Sequence, residues 1–69
     1  MSGRGQVVSF DHDKGYGTVR GEDGRERFFH CTAIAGGGRA IEVGTAVTWV
    51  VVAGHRGRWE AAAVTPAPL

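Results

Sequence analysis

The stretch KGYGTVRGEDGRERFFH, Lys14 to His30, decides how this chain folds. Tyr16 to Arg20 and Glu26 to His30 are short runs of strand character, and Glu22 to Arg25 between them holds the Asp-Gly pair of a tight hairpin turn. Two antiparallel strands lie side by side. Side chains alternate between the faces of a strand, so Tyr16, Thr18 and Arg20 share one face, and Phe28 and His30 share one on the next strand. Gly17 and Val19, with Arg27, Phe29 and Cys31, take the opposite faces. If Val19 and Phe29 fill the core, then Tyr16, Phe28 and His30 point outward together, flanked by Lys14 and Arg20.

Outward from this hairpin the strand pattern continues. A strand over Gly5 to Phe10 precedes the loop DHDKG, in which Asp11 and Asp13 can bond nearby backbone and Gly15 permits unusual dihedrals. After His30 comes a longer connection, with a helical turn near Thr32 to Ala35 and three consecutive glycines at Gly36 to Gly38. TAVTWVVV, Thr45 to Val52, is dense in β-branched and aromatic residues and reads as the fourth strand. AGHRGR turns the chain into a last strand from Trp59 to Thr65, and the prolines of PAPL mark Pro66 to Leu69 as a tail. Five short strands without a sustained helical period predict an all-β barrel or sandwich. Phe29, Val47, Trp49, Val51, Ala62 and Val64 are its expected inward set.

At 69 residues the chain has material for one core and is read as a single domain. No apolar run approaches membrane-spanning length, MSGRG lacks the apolar segment of a secretory signal, and the lone Cys31 has no disulfide partner. A soluble protein of a reducing cytoplasm is the expectation. The net charge of +1 leaves the partner open, although seven arginines against one lysine favour groups that can stack on bases as well as pair with phosphates.

Other chemistries find little support in the residues. His12, His30, Cys31 and His55 contain no closely spaced ligand pair, so neither a metal nor another cofactor is expected. Asp11 and Asp13 are explained by their turn, and His30 and Cys31 point to opposite faces, so no catalytic pair is formed. The three glycines lack the Lys-Ser/Thr or following helix that would make a phosphate cradle.

GQVVSFDHDKGYGTV followed by RFFHCTAI resembles the bacterial cold-shock domain in order and spacing. VGTAVTW and AAVT match the family's later landmarks, and the likeness spans residues 3–65. It implies a five-stranded antiparallel OB-type barrel that binds single-stranded RNA and DNA without catalysis, in the manner of an RNA chaperone. KGYGTV stands for the family's ribonucleoprotein motif and FFH for its Phe-x-His motif, which implies nucleic-acid contacts at Lys14, Tyr16, Phe28 and His30, with Phe10 beside them. Ser9, Thr18 and Cys31 stand where rings are usual, Arg39 lies near another such place, and Arg27 replaces an aliphatic core residue.

Rings beside cations suit single strands, because every base has a stackable face and cations hold phosphates. Arg20, Arg39, Arg56 and Arg58 complete the expected interface. Trp59 is read either as a relocated stacking platform or as a cover over the barrel. The missing rings support a second reading, in which the barrel serves protein interaction. A monomer is expected under the first reading, and a dimer burying Tyr16 and Phe28 under the second.

Overall fold

The computed structural model describes residues 2–36, 38–54 and 57–67 of the chain. Five strands, β1 (Ser2–Asp11), β2 (Tyr16–Gly21), β3 (Glu26–His30), β4 (Ala46–Ala53) and β5 (Trp59–Pro66), form a closed barrel in the order β1-β2-β3-β5-β4. All neighbours pair antiparallel except β3 and β5, which meet in parallel at Phe28 and Glu60. Closure gives every strand a neighbour on each side. Among the described residues no helix is long and apolar enough to cross a membrane.

The β2–β3 register pairs Tyr16 with His30, Gly17 with Phe29, Thr18 with Phe28 and Val19 with Arg27. The hairpin matches its prediction: Gly24 has φ +83°, and the Gly21 and Arg25 backbones meet across the turn through a 2.8 Å hydrogen bond. Before β2, the Asp11 carboxylate accepts the N–H groups of Asp13 and Lys14, each at 3.0 Å. These bonds tighten the turn that delivers Tyr16.

Val7, Val19, Phe29, Val47 and Val64 are the largest fully buried side chains, joined in the core by Ile34, Ile41, Trp49 and Ala61. Ala61, and not the expected Ala62, faces inward. Between the pairs Thr48–Thr65 and Val50–Ala62, β5 carries one more residue than β4, and Ala63 adopts φ +50°. This bulge changes the phase of the side-chain alternation, so Ala61 and Val64 reach the core from positions three apart.

A second irregularity lies between Val7 and Ser9, where β1 advances two residues against one on β2. Beyond it Phe10 pairs with Gly17 and packs against the core, its ring stacked on Phe29 at 5.9 Å and 17°. Phe10 therefore belongs to the inner face while staying half-buried at the loop end of β1. The helical turn is a 3-10 turn over Cys31–Ala33, starting one residue and ending two residues earlier than read from the sequence. Pro66, expected in the tail, ends β5 opposite Val47, and the Ala67 N–H reaches the Ala46 carbonyl at 2.8 Å. Proline is tolerated there because the bond to β4 is made by the N–H of Ala67 and none is required from position 66.

Candidate nucleic-acid interface

Gly15 and Gly17 frame Tyr16 for different reasons. Gly15 has φ +74°, its N–H bonds the Asp11 carbonyl and its carbonyl accepts the Cys31 N–H, both at 2.8 Å. Gly17 is buried on the inner face, where a Cβ would meet the Ser9 carbonyl and lie 3.0 Å from the Phe10 ring. The first glycine makes the turn; the second lets β1 approach. The inner position beside it holds no side chain, and Tyr16 stands on the outer face.

On that face the rings of Tyr16 and Phe28 lie 5.2 Å apart at 40°, and those of Phe28 and His30 lie 4.9 Å apart at 89°. Tyr16 and Phe28 are half-buried and His30 is exposed. Edge-to-face and tilted contacts of this kind are favourable between rings and hold them in place without covering their outer faces. The result is a continuous three-ring strip across β2 and β3.

Ser9 pairs with Thr18, and Thr18 with Phe28, so two small hydroxyl residues border the strip on the side of β1. Lys14 is exposed at the head of β2, with no side-chain partner among the described residues. Arg20 shares the outer face but is engaged: its Nε and a terminal nitrogen donate to Glu26 Oε2 at 3.1 and 2.7 Å. Roughly half of each side chain is exposed, so this pair holds the guanidinium only weakly. Glu60, brought beside Phe28 by the parallel pairing, is a flanking residue the sequence did not reveal, because no local pattern announces the β3–β5 contact.

The remaining predicted residues are dispersed. Arg39 is exposed in the long connection, and Arg58 is exposed just before β5. Arg56 and His55 lie outside the described residues. Trp59, 57% exposed, opens β5 opposite Ala53 and joins none of the ring contacts among the described residues. It lies toward the Arg27 end of β3, away from His30, because β5 runs parallel to β3 from Glu60 beside Phe28. Among the described residues no group of three His, Cys, Asp or Glu side chains is poised around a metal-sized space.

The family model described as "'Cold-shock' DNA-binding domain" matches residues 3–67. The chain is 44% identical over 55 residues to cold shock protein CspB of Geobacillus stearothermophilus, covering 78% of this chain and 83% of that one. It is 43% identical over 63 residues to cold shock protein 1 of Lactiplantibacillus plantarum, covering 90% and 94%. A solved structure described as Drosophila Unr CSD456 superposes with a TM-score of 0.78 at 25% identity, over 99% of this chain and 27% of that one. The chain thus spans about a quarter of that structure's length.

Proposed function

The chain belongs to the cold-shock domain family, and from that premise we propose that it binds single-stranded RNA or DNA, without catalysis, by stacking bases on Tyr16, Phe28 and His30. The observation that carries this reading is the outward three-ring strip, since base stacking on exposed rings is worth about 1–3 kcal/mol per base and tolerates any base. Lys14 at one end of the strip supplies charge for a phosphate, and Arg20 does so when it exchanges Glu26 for the strand. Phe10, half-buried beside the loop with its ring stacked on Phe29, is a further candidate contact. Holding bases apart in this way keeps a strand from folding on itself, the action of an RNA chaperone.

Few cations border the rings, so affinity depends weakly on salt. The slope of log K against log salt for a single strand is about −0.7 per phosphate neutralised, and two contacts give about −1.4. An NMR titration of the labelled protein with a short pyrimidine oligonucleotide at low and moderate salt tests the reading. Saturable shifts centred on Tyr16, Phe28 and His30, with that shallow slope, are expected. A folded protein whose spectrum does not respond would overturn it and leave the barrel as a module for protein partners.

A further inference from the structure

Around the ring strip, the outward face of the β2–β3 hairpin is a grid of four positions that holds three rings. Tyr16 is paired with His30 and Thr18 with Phe28, so Thr18 occupies the one corner without a ring. On its other side Thr18 is paired with Ser9 of β1. Facing residues on neighbouring strands have Cβ atoms about 4.5–5.5 Å apart, which puts Thr18 beside the Phe28 ring and Ser9 one strand further out. The rings therefore end on a pair of hydroxyl groups.

Ser9 is exposed and Thr18 half-buried. Directly opposed Ser and Thr side chains can bond each other across an antiparallel pair. Here no hydrogen bond joins them, and neither hydroxyl bonds any other group among the described residues. Thr45 and Thr65 differ in this respect, since their hydroxyls donate to the carbonyls of Glu42 and Ala63 at 2.7 and 2.9 Å. Those two serve local backbone structure, whereas the Ser9–Thr18 pair keeps its donors and acceptors open at the border of the rings.

Charge draws the backbone of a bound strand to this same border. Lys14 lies just before β2, and Arg20 shares the outward face of β2 with Thr18, about 7 Å further along the strand. Phosphates held by these two cations run the sugars along β2, while the bases reach across to Tyr16, Phe28 and His30. Asp11, opposite Tyr16 on β1, is an acid on that side, and its Oδ1 already accepts the Asp13 and Lys14 N–H groups. Between the two cations, the polar side chains in position to meet a sugar are those of Thr18 and Ser9.

We propose that the Ser9 and Thr18 hydroxyls bind the ribose 2′-hydroxyl of a strand stacked on the rings, so that this barrel prefers RNA to DNA. The preference rests on the stacking proposed above and adds a sugar contact to it. Stacking alone cannot supply it, because every base has a stackable face in RNA and DNA alike. The 2′-hydroxyl, a donor and an acceptor at once, is the group that separates the two. Serine and threonine hydroxyls match it in both directions, whereas an ammonium group only donates.

The test is fluorescence anisotropy of the whole chain with a short labelled oligouridylate, the matching 2′-deoxy strand, and the matching 2′-fluoro strand, which keeps an RNA-like sugar shape without the hydroxyl. The oligouridylate is expected to bind about fivefold more tightly than either of the others, the equivalent of one neutral hydrogen bond. Thr18→Val keeps the branched shape and Ser9→Ala the small one. Together they should bring RNA affinity down to that of the deoxy strand, with DNA affinity and the folded spectrum unchanged. Thr18→Phe, which exchanges the hydroxyl for a ring, should gain affinity for the deoxy strand and lose the preference. A deoxy strand bound as tightly as RNA, a 2′-fluoro strand bound as tightly as RNA, or a preference that survives in the folded double variant would each overturn the proposal and leave the ring strip standing. No binding of any of the three strands would overturn the stacking reading, and this preference with it.

Discussion

Phe28 and Phe29 are neighbours in the chain and have opposite surroundings. Phe29 is fully buried beneath the Phe10 ring, whereas Phe28 lies on the outer face between Tyr16 and His30. Nothing in their chemistry separates them; the alternation of a strand does, once Gly17 and Val19 establish which face of the hairpin is inside. One face spends its apolar area on folding. The other keeps ring surface available to a partner.

The contrast breaks first, and most severely, on the inner face. Phe29→Ala is expected to destabilise the domain by about 3–5 kcal/mol, a large share of what a chain this short can possess. Urea unfolding followed by near-UV circular dichroism measures it. Phe28→Ala in the same assay should cost about 1 kcal/mol, because half-buried area is lost without a closed cavity. Equal losses in the two variants would mean that both rings are structural.

Gly17→Ala probes the boundary between the faces. Its methyl group would meet the Ser9 carbonyl and Phe10, where the neighbour is backbone and cannot swing aside. A loss of about 1–3 kcal/mol or more is expected. Wild-type stability would show that β1 can retreat and that the close approach is not needed.

On the outer face the effects move from stability to affinity. Phe28→Ala should weaken binding of a pyrimidine oligonucleotide by about 1–3 kcal/mol, or about 5- to 150-fold. Thr18→Phe, beside Phe28 and opposite Ser9, should strengthen it by a similar stacking increment while leaving the core untouched. Fluorescence titration of the two variants measures both. A Thr18→Phe protein that binds no better would show that ring number does not limit affinity.

The smallest effect is electrostatic. Glu26→Gln removes the negative charge that holds Arg20, at a stability cost below about 1 kcal/mol because the pair is half-exposed. The freed guanidinium should raise affinity a few-fold and steepen the salt slope by about 0.7 for one added phosphate contact. An unchanged slope would remove Arg20 from the interface.

How much was legible in advance follows from how local each signal is. The hairpin from Tyr16 to His30 could be read because Asp23 and Gly24 make its turn within the same stretch, and its register then assigned both faces correctly. The inward positions of Val47 and Trp49 followed from two-residue alternation along β4. Alternation failed at Ala62, next to the β5 bulge, and a second bulge precedes Phe10, whose face the sequence did not assign. A bulge changes strand phase by one residue and is stabilised by pairing with a distant strand, so composition nearby does not mark it.

The sequence by itself determined the strands, the hairpin and the outward set of Tyr16, Phe28 and His30, because turn chemistry and two-residue periodicity act over a few positions. Only the tertiary structure decided that Phe10 stacks on Phe29, that Glu60 stands beside Phe28, and that Arg27 shares a cleft with the unpartnered Trp49 indole. Each of those depends on how the barrel closes, with β4 returning to β1 and β5 meeting β3 in parallel. Closure joins residues far apart in the chain, and no short-range pattern carries that information.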